Sequence, residues 1–169
     1  MKVGEKAPSF SLEAYVAGES KKVSSSDFSG KWLVLFFYPR DFTFVCPTEL
    51  SALAALQPQF ENEGAQVIAA STDSYYSHKA WFERDLPTVK YPVLADTGHH
   101  LARECGVLIE GDGTALRGTF LIDPDGVLQY MVVSTINVGR SVHETLRVLQ
   151  ALKNGGLCPV EWKKGEKTL

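Results

Sequence analysis

A run of seven apolar residues, from Trp32 to Tyr38, limits the folds open to this chain more than any other feature. The run shows no polar alternation and is rich in aromatic and β-branched side chains. This is the pattern of a strand covered on both faces in the middle of a sheet. Pro39 ends the run, because proline cannot donate a hydrogen bond to a neighbouring strand. The rest of the chain must therefore cover two faces of a central sheet.

The segments after this run alternate between helical and strand patterns. From Pro47 to about Glu63 the apolar residues recur at helical spacing, and Pro58 is expected to kink that helix. The later patterns predict a strand over 65–71, a helix over 75–85, a strand over 91–95, a short helix over 99–104, a hairpin of 119–122 with 127–133, and a helix over 141–153. This order predicts an α/β fold of the thioredoxin-like type, with a mixed central sheet flanked by helices.

The length of 169 residues suits a single domain over 1–169. Within it we expect 1–30 to be an added segment and 154–169 to be a C-terminal tail. The net charge is −3. No basic stripe is present, so nucleic acid is not an expected partner. The longest apolar run is too short to cross a bilayer, and three cysteines are too few for a disulfide-stapled secreted scaffold. We therefore expect a cytoplasmic protein without a membrane partner.

Cys46 lies between the predicted strand ending at Tyr38 and the helix beginning at Pro47. Its sulfur should lie near unpaired backbone N–H groups at the positive end of the helix dipole, which favours the nucleophilic thiolate. The alternative is a buried cysteine that only packs. Two neighbours favour the reactive interpretation, since the Thr43 hydroxyl is close enough to hydrogen-bond the sulfur or an attached oxygen, and Pro39 can exclude water.

The stretch from Phe37 to Glu49 reads Phe-Tyr-Pro-Arg-Asp-Phe-Thr-Phe-Val-Cys-Pro-Thr-Glu. It resembles the active-site segment of the typical two-cysteine peroxiredoxins and matches their pattern Pro-x-x-x-Thr-x-x-Cys-Pro-x-Glu at every position. Further segments that agree with this family are 71–74, 78–81, 117–123, 138–141 and 158–162. The resemblance covers nearly the whole chain and is strongest to the bacterial alkyl hydroperoxide reductase C components.

The resemblance implies a thiol-dependent peroxidase, an antioxidant enzyme that uses no metal and no organic cofactor. The implied catalytic residues are Cys46, Pro39, Thr43 and Arg117, supported by a hydrogen-bond network of Glu49 and Arg140. The Cys46 thiolate would attack hydrogen peroxide or an organic hydroperoxide, break the O–O bond and become a sulfenic acid. Arginine stays protonated, so Arg117 would stabilise the thiolate and donate to the peroxide oxygens.

A sulfenic acid condenses with a nearby thiol to form a disulfide. The resemblance implies that this second, resolving thiol is Cys158. Cys158 follows Gly155 and Gly156, and we therefore expect it to lie on a mobile tail. The disulfide would join two subunits of a homodimer, with a ring of five dimers implied. A thioredoxin-like or flavin-containing disulfide reductase would recycle it. A disulfide needs Cα atoms within about 7 Å, so we expect the chain around Cys46 to unwind. Cys105 matches no catalytic segment and is expected to be structural.

Three other interpretations are considered. A thiol–disulfide oxidoreductase of the same fold would carry Cys-x-x-Cys where this chain has Cys46-Pro47-Thr48-Glu49. A chaperone-like oligomer would not depend on Cys46. A zinc site could use the four histidines as ligands, but their spacing matches no common zinc pattern.

The chain differs from many eukaryotic members of the family that it resembles. Those proteins carry a Gly-Gly-Leu-Gly insertion and a Tyr-Phe pair in the tail, and the resemblance implies that a chain without both resists sulfinic oxidation of Cys46.

Overall fold

The computed structural model describes residues 1–169. The strands are β1 Ser11–Val16, β2 Glu19–Ser24, β3 Trp32–Phe37, β4 Ala65–Ser71, β5 Val93–Ala95, β6 Leu108–Ile109, β7 Thr114–Ala115, β8 Arg117–Ile122 and β9 Leu128–Ser134. The helices are α1 Cys46–Asn62, α2 Tyr75–Asp85, α3 His100–Glu104 and α4 Val142–Asn154, with a 3₁₀ helix at Ser25–Phe28. None of these helices is both long enough and apolar enough to cross a membrane.

Seven strands form one mixed sheet in the order β2-β1-β5-β4-β3-β8-β9, and β6 with β7 forms a separate pair. Strand β3 pairs in parallel with β4 and antiparallel with β8, which places it inside the sheet. Strands β8 and β9 form the expected antiparallel hairpin. The predicted α/β fold with a mixed central sheet is therefore confirmed.

The side chains of β3 alternate between two hydrophobic clusters, one on each face of the sheet. Val34 and Phe36 pack on the face covered by α1, α2 and α4, whereas Leu33 and Leu35 pack on the face that carries α3. All four side chains are at most 4% exposed. Burial of one such side chain stabilises a fold by roughly 1.5–3 kcal/mol, so this strand anchors both layers.

The structure corrects the sequence predictions at three places. The N-terminal residues, expected as an added segment, extend the central sheet itself, because β1 pairs antiparallel with β5, with Ala14 opposite Leu94. The strand expected over 91–95 is shorter, since Pro92 has no N–H to donate to a ladder. Helix α1 begins one residue earlier than predicted and continues past Pro58. Strand β4 and helix α2 have the predicted bounds.

The C-terminal segment, residues 155–169, contains no helix or strand but is packed against α4. Trp162 is only 2% exposed, and its carbonyl accepts a hydrogen bond of 3.0 Å from Nη1 of Arg147 in α4. A mobile tail was expected from Gly155 and Gly156, and the packed arrangement differs from that expectation. The reason is that burial of the large Trp162 side chain, so close to the two glycines, stabilises the packed arrangement.

Candidate active site

Cys46 is the first residue of α1 and is 1% exposed. It lies there because the buried strand β3 ends at Phe37 and the chain turns through eight residues before the helix begins. Its sulfur accepts a hydrogen bond from a guanidinium: Nη1 of Arg117 donates to Sγ over 3.4 Å. Arg117 is the first residue of β8, the antiparallel neighbour of β3, so the sheet itself brings the two residues together.

Arg117 is fixed by two partners besides the sulfur. Its Nε and Nη2 both donate to the carbonyl of Ile136, over 2.9 and 2.6 Å, and its Nη1 donates to Oε2 of Glu49 over 2.7 Å. Glu49 lies one helical turn after Cys46 on the same helix. A guanidinium with this many bonds cannot turn away from the sulfur without breaking several of them.

The carboxylate of Glu49 binds a second arginine as well. Nε and the backbone N–H of Arg140 donate to Oε1 over 2.9 and 2.7 Å, and its Nη2 donates to Oε2 over 3.0 Å. The Arg140 guanidinium also lies over the ring of Phe36, 3.4 Å from its centre. Burial alone would raise the pKa of Glu49, but the hydrogen bonds and charge of Arg140, with the charge of Arg117, hold that pKa below its ordinary value.

The buried charges of this cluster balance when Cys46 is a thiolate. The side chains of Arg117, Glu49 and Arg140 are 3%, 2% and 4% exposed, so their charges are largely removed from water. Buried charges are stable only when they are paired. Two guanidinium groups and one carboxylate leave one positive charge over, and a thiolate at Cys46 neutralises it.

Cys46 and Arg117 face a pocket of about 420 Å³ that opens to solvent. Pro39 and Thr43 also line it, and Pro39 is buried. The Thr43 hydroxyl donates to the carbonyl of Arg40 over 2.9 Å, and no hydrogen bond joins it to the sulfur. The structure therefore brings four of the five predicted catalytic residues into one pocket, with Cys158 outside it, but it directs the Thr43 proton to the backbone.

The loop between Pro39 and Cys46 is anchored from behind by a network that the sequence analysis missed. Asp41 accepts hydrogen bonds from the hydroxyls of Tyr38 and Ser77, both over 2.7 Å, and its carboxylate lies 2.8 Å from Nδ1 of His78. The His78 and Asp41 side chains are 0% and 1% exposed. The sequence places His78 in the segment 78–81 that agrees with the family and among the histidines available to a zinc site, and the structure contains no group of three or more His, Cys, Asp or Glu residues that could bind a metal ion. The short spacing from Tyr38 to Asp41 was the available signal.

Phe42, in the same loop, has a left-handed backbone with φ of 56°. The centre of its ring lies 5.9 Å from that of Trp81, and the guanidinium carbon of Arg84 lies 5.0 Å from the Phe42 ring centre. A bulky residue rarely adopts this backbone conformation, since its Cβ crowds the following carbonyl oxygen. The loop is thus held in place by side-chain contacts against a local conformational preference.

Cys158 is not part of this cluster. It is partly buried against the end of α4, where its Sγ donates to the carbonyl of Ala151 over 3.7 Å and accepts from Nδ2 of Asn154 over 3.9 Å. All three cysteines are free thiols. Within one chain, Cys46 and Cys158 have different hydrogen-bond partners and do not touch.

Cys105 differs from the other two cysteines in its surroundings. It is 1% exposed in the apolar cluster that contains α3, and burial raises its pKa to about 12. At neutral pH it is a protonated thiol without access to solvent, which is neither a nucleophile nor a metal ligand. This agrees with the structural role expected for it.

We therefore expect Cys105→Ala to reduce peroxide at the wild-type rate and to lower only the stability of the fold. The lost contacts of one buried sulfur should cost about 1–2 kcal/mol in the free energy of unfolding. Denaturant unfolding and steady-state peroxide consumption measure the two quantities. A tenfold loss of activity in a folded Cys105→Ala protein would give Cys105 a part in the chemistry.

Three similarities agree with this geometry. A model of the AhpC/TSA family matches residues 3–131. The chain is 54% identical to the Bacillus subtilis protein YkuU, which carries the name of a peroxiredoxin, over 99% of this chain and 97% of that protein. It is 49% identical to a thioredoxin peroxidase of Echinococcus granulosus, over 98% of this chain and 91% of that protein.

A solved structure gives the same result for the fold. The reduced 2-Cys peroxiredoxin of Plasmodium vivax superposes with a TM-score of 0.94 at 34% sequence identity, covering 99% of this chain and 92% of that one. The same fold, an active-site motif complete at every position, and a buried cysteine beside an arginine lead to one conclusion. The chain belongs to the AhpC/TSA family and is a typical two-cysteine peroxiredoxin, an enzyme that reduces peroxides.

Proposed function

We propose that the thiolate of Cys46 is the group that attacks the peroxide. The observation that carries this proposal is the 3.4 Å contact between Sγ of Cys46 and Nη1 of Arg117, at a pocket open to a small substrate. The charge balance with Glu49 and Arg140 supports it, because it favours an ionised sulfur in a site that excludes most water.

In this reaction the sulfur attacks one peroxide oxygen along the O–O axis. The S–O bond forms as the O–O bond breaks, Cys46 becomes a sulfenic acid, and the departing oxygen takes up a proton to leave as water or an alcohol. Negative charge moves from the sulfur to that oxygen in the transition state. The Arg117 guanidinium, fixed by Ile136 and Glu49, is placed to stabilise the charge as it moves.

Thr43 and Pro39 have complementary proposed roles in the same pocket. The Thr43 proton is used by the Arg40 carbonyl, so its oxygen is free to accept a hydrogen bond from the O–H of a peroxide. Pro39 has no N–H and presents an apolar ring, which limits the water around the thiolate. Glu49 and Arg140 act through Arg117 and not on the substrate.

The second proposed step joins Cys46 to Cys158 of another subunit. The thiol displaces the hydroxyl of the sulfenic acid, an S–S bond forms, and water leaves. Cys46 is 1% exposed at the start of a helix, so the residues around it must unwind before the sulfurs can meet. The whole of 1–169 would act as one domain, whose C-terminal residues 154–169 form the tail that presents Cys158.

The partners of this cycle are part of the same proposal. A homodimer is required by the intersubunit disulfide, and β9 lies at an edge of the sheet, where a second copy is able to pair. A ring of five dimers would be the larger assembly.

The disulfide would be reopened by a thioredoxin-like or flavin-containing reductase, and a thioredoxin-like reductase is suggested by the name of the Echinococcus relative. Free thiols survive in a reducing compartment, which favours the cytoplasm.

The test is a single turnover of the fully reduced protein with one equivalent of hydrogen peroxide, quenched with a thiol-alkylating reagent. We expect a covalent dimer on a non-reducing gel, with Cys46 and Cys158 in one linked peptide by mass spectrometry. Cys158→Ser should consume the same equivalent, give no dimer and keep a sulfenic acid that reacts with a dimedone probe. A disulfide within one subunit, or one through Cys105, would contradict the proposed second step.

A further inference from the structure

The mouth of the active-site pocket carries a charged pair that the proposed chemistry does not use. Arg40 and Asp112 both line the pocket, and Nη2 of Arg40 lies 3.8 Å from Oδ2 of Asp112. Their side chains are 53% and 49% exposed. The family motif leaves position 40 open, because Arg40 is one of the residues between Pro39 and Thr43 that it does not specify. The arginine is therefore a feature of this chain that the motif does not explain.

The Arg40 guanidinium is fully available to a ligand. Its contact with Asp112 is longer than an N–H···O hydrogen bond of about 2.7–3.2 Å, and its side chain donates to no other group of the protein. The backbone of Arg40 is fixed, since its carbonyl accepts the hydrogen bond from Thr43. A fixed backbone thus presents a planar set of donors, whose geometry matches the two oxygens of a carboxylate.

Asp112 is held more firmly than Arg40. The backbone N–H of Thr114 donates to Oδ1 of Asp112 over 2.9 Å, and the Thr114 hydroxyl donates to the same oxygen. These side-chain and backbone hydrogen bonds lower the pKa of Asp112, so it is ionised at neutral pH. Because Asp112 is tied to Thr114, it cannot follow the guanidinium when Arg40 turns to a ligand. Asp112 is therefore a weak competitor for Arg40.

The same pocket has an apolar wall. Phe44, Val45 and Ile136 line it, and Phe44 and Ile136 are 92% and 40% exposed. A hydrocarbon group in contact with them removes apolar surface from water, which favours binding. The volume of about 420 Å³ is also much larger than hydrogen peroxide requires. The pocket thus combines a buried sulfur, an apolar wall and an exposed cation at its mouth.

We propose that Arg40 binds the carboxylate of organic hydroperoxides, so that the enzyme prefers the hydroperoxide of a carboxylic acid to its uncharged ester. This inference rests on the proposed function, because the bound hydroperoxide is attacked by the Cys46 thiolate. The S–O bond forms as the O–O bond breaks, and the departing alkoxide oxygen takes up a proton. The products are the Cys46 sulfenic acid and a hydroxy acid whose carboxylate is unchanged.

The other charges of the protein act against an anionic substrate. The net charge is −3, and both Asp112 and a Cys46 thiolate repel a carboxylate. A preference for the acid over the ester therefore requires a cation that is placed at the pocket and has donors to spare. Arg40 meets both conditions, whereas the donors of Arg117 are used by Ile136, Glu49 and the sulfur.

The test compares two substrates that differ only in charge: cumene hydroperoxide with a para carboxylate, and the methyl ester of that compound. The measurement is the second-order rate constant of the first phase in stopped flow. The ratio of the acid rate to the ester rate is taken on one protein sample, so it does not depend on the active fraction. We expect a ratio of about five for wild type, the upper range for an exposed ion pair, and a lower ratio in added salt.

Three variants assign this ratio to Arg40. Arg40→Met should lower it to one or less, because the repulsive charges remain. Asp112→Asn should raise it above the wild-type value, since the competing carboxylate is removed while an oxygen is kept for Thr114. Arg103→Met is the matched control: Arg103 is 48% exposed, is paired with Glu110 and does not line the pocket. It should keep the wild-type ratio.

The outcomes separate this inference from the proposed function. A wild-type ratio of one or less, or a ratio above one that Arg40→Met does not lower, would overturn the role of Arg40. The proposed function would stand in either case if hydrogen peroxide is still consumed through Cys46. If wild type consumes neither hydrogen peroxide nor the two organic substrates through Cys46, both are overturned.

Discussion

Cys46→Ser is expected to lose peroxide reduction completely, with consumption falling to the rate of a protein-free control. Serine differs from cysteine by one atom, but its hydroxyl stays protonated at neutral pH and cannot form a sulfenic acid. The substitution also removes the proposed thiolate, which leaves the guanidinium groups of Arg117 and Arg140 with Glu49 as the one carboxylate that they share. We therefore expect Cys46→Ser to be less stable as well as inactive, by about 1–3 kcal/mol.

The control for this prediction is Cys105→Ala, which removes a buried sulfur without touching the charge cluster. Circular dichroism establishes that both variants are folded, and denaturant unfolding in low-salt buffer gives the two free energies. Chloride or another anion should restore part of the stability of Cys46→Ser, because it neutralises the extra charge. Peroxide consumption above background in folded Cys46→Ser would mean that the nucleophile lies elsewhere.

Arg117→Met should slow the attack on hydrogen peroxide by roughly 100- to 1000-fold, the usual effect of removing one fixed donor to developing charge. Methionine keeps the apolar part of the side chain, whereas the donor 3.4 Å from Sγ of Cys46 is lost. Glu49 retains its three bonds from Arg140, so the network as a whole survives. The measurement is the second-order rate constant for the first phase in stopped flow.

Arg117→Lys is the matched variant for separating charge from geometry. Lysine supplies a positive charge but cannot bridge the Ile136 carbonyl, Glu49 and the sulfur at once. We expect an intermediate rate, closer to Arg117→Met. A loss of less than tenfold in Arg117→Met would show that the backbone and helix dipole are sufficient, and equal rates in the lysine variant and wild type would show that charge alone matters.

Local sequence patterns were sufficient to predict the helices and strands whose apolar residues lie close together in the sequence. The run ending at Tyr38 predicted the central strand, and the spacing of apolar residues after Pro47 predicted α1, because these signals depend on a residue's near neighbours. The pairing of β1 with β5 was missed, since about 80 residues separate Ala14 from Leu94 and neither strand encodes its partner. Such long-range registers are set by the packing of the whole sheet.

The functional residues divide in the same way. The motif from Pro39 to Glu49 identified the pocket, and the fold explains why Arg117 reaches it from β8. The direction of the Thr43 proton was not predictable, since a hydroxyl chooses between acceptors that differ by fractions of an ångström. The packing of the C-terminal segment was also missed. Gly155 and Gly156 indicate a flexible backbone, but the burial of Trp162 depends on α4 and other residues distant in the sequence.

The left-handed backbone at Phe42 bears on the lifetime of the closed site. Such a conformation costs a residue with a Cβ about 1–2 kcal/mol, and this cost disappears when the loop unwinds and the residue returns to an ordinary conformation. Since 1.4 kcal/mol is a factor of ten in population, the open loop is roughly 5- to 30-fold more populated than it would be with an unstrained residue. The aromatic contact with Trp81 therefore holds the loop closed against the conformational preference of Phe42, and opening of the loop relieves that cost.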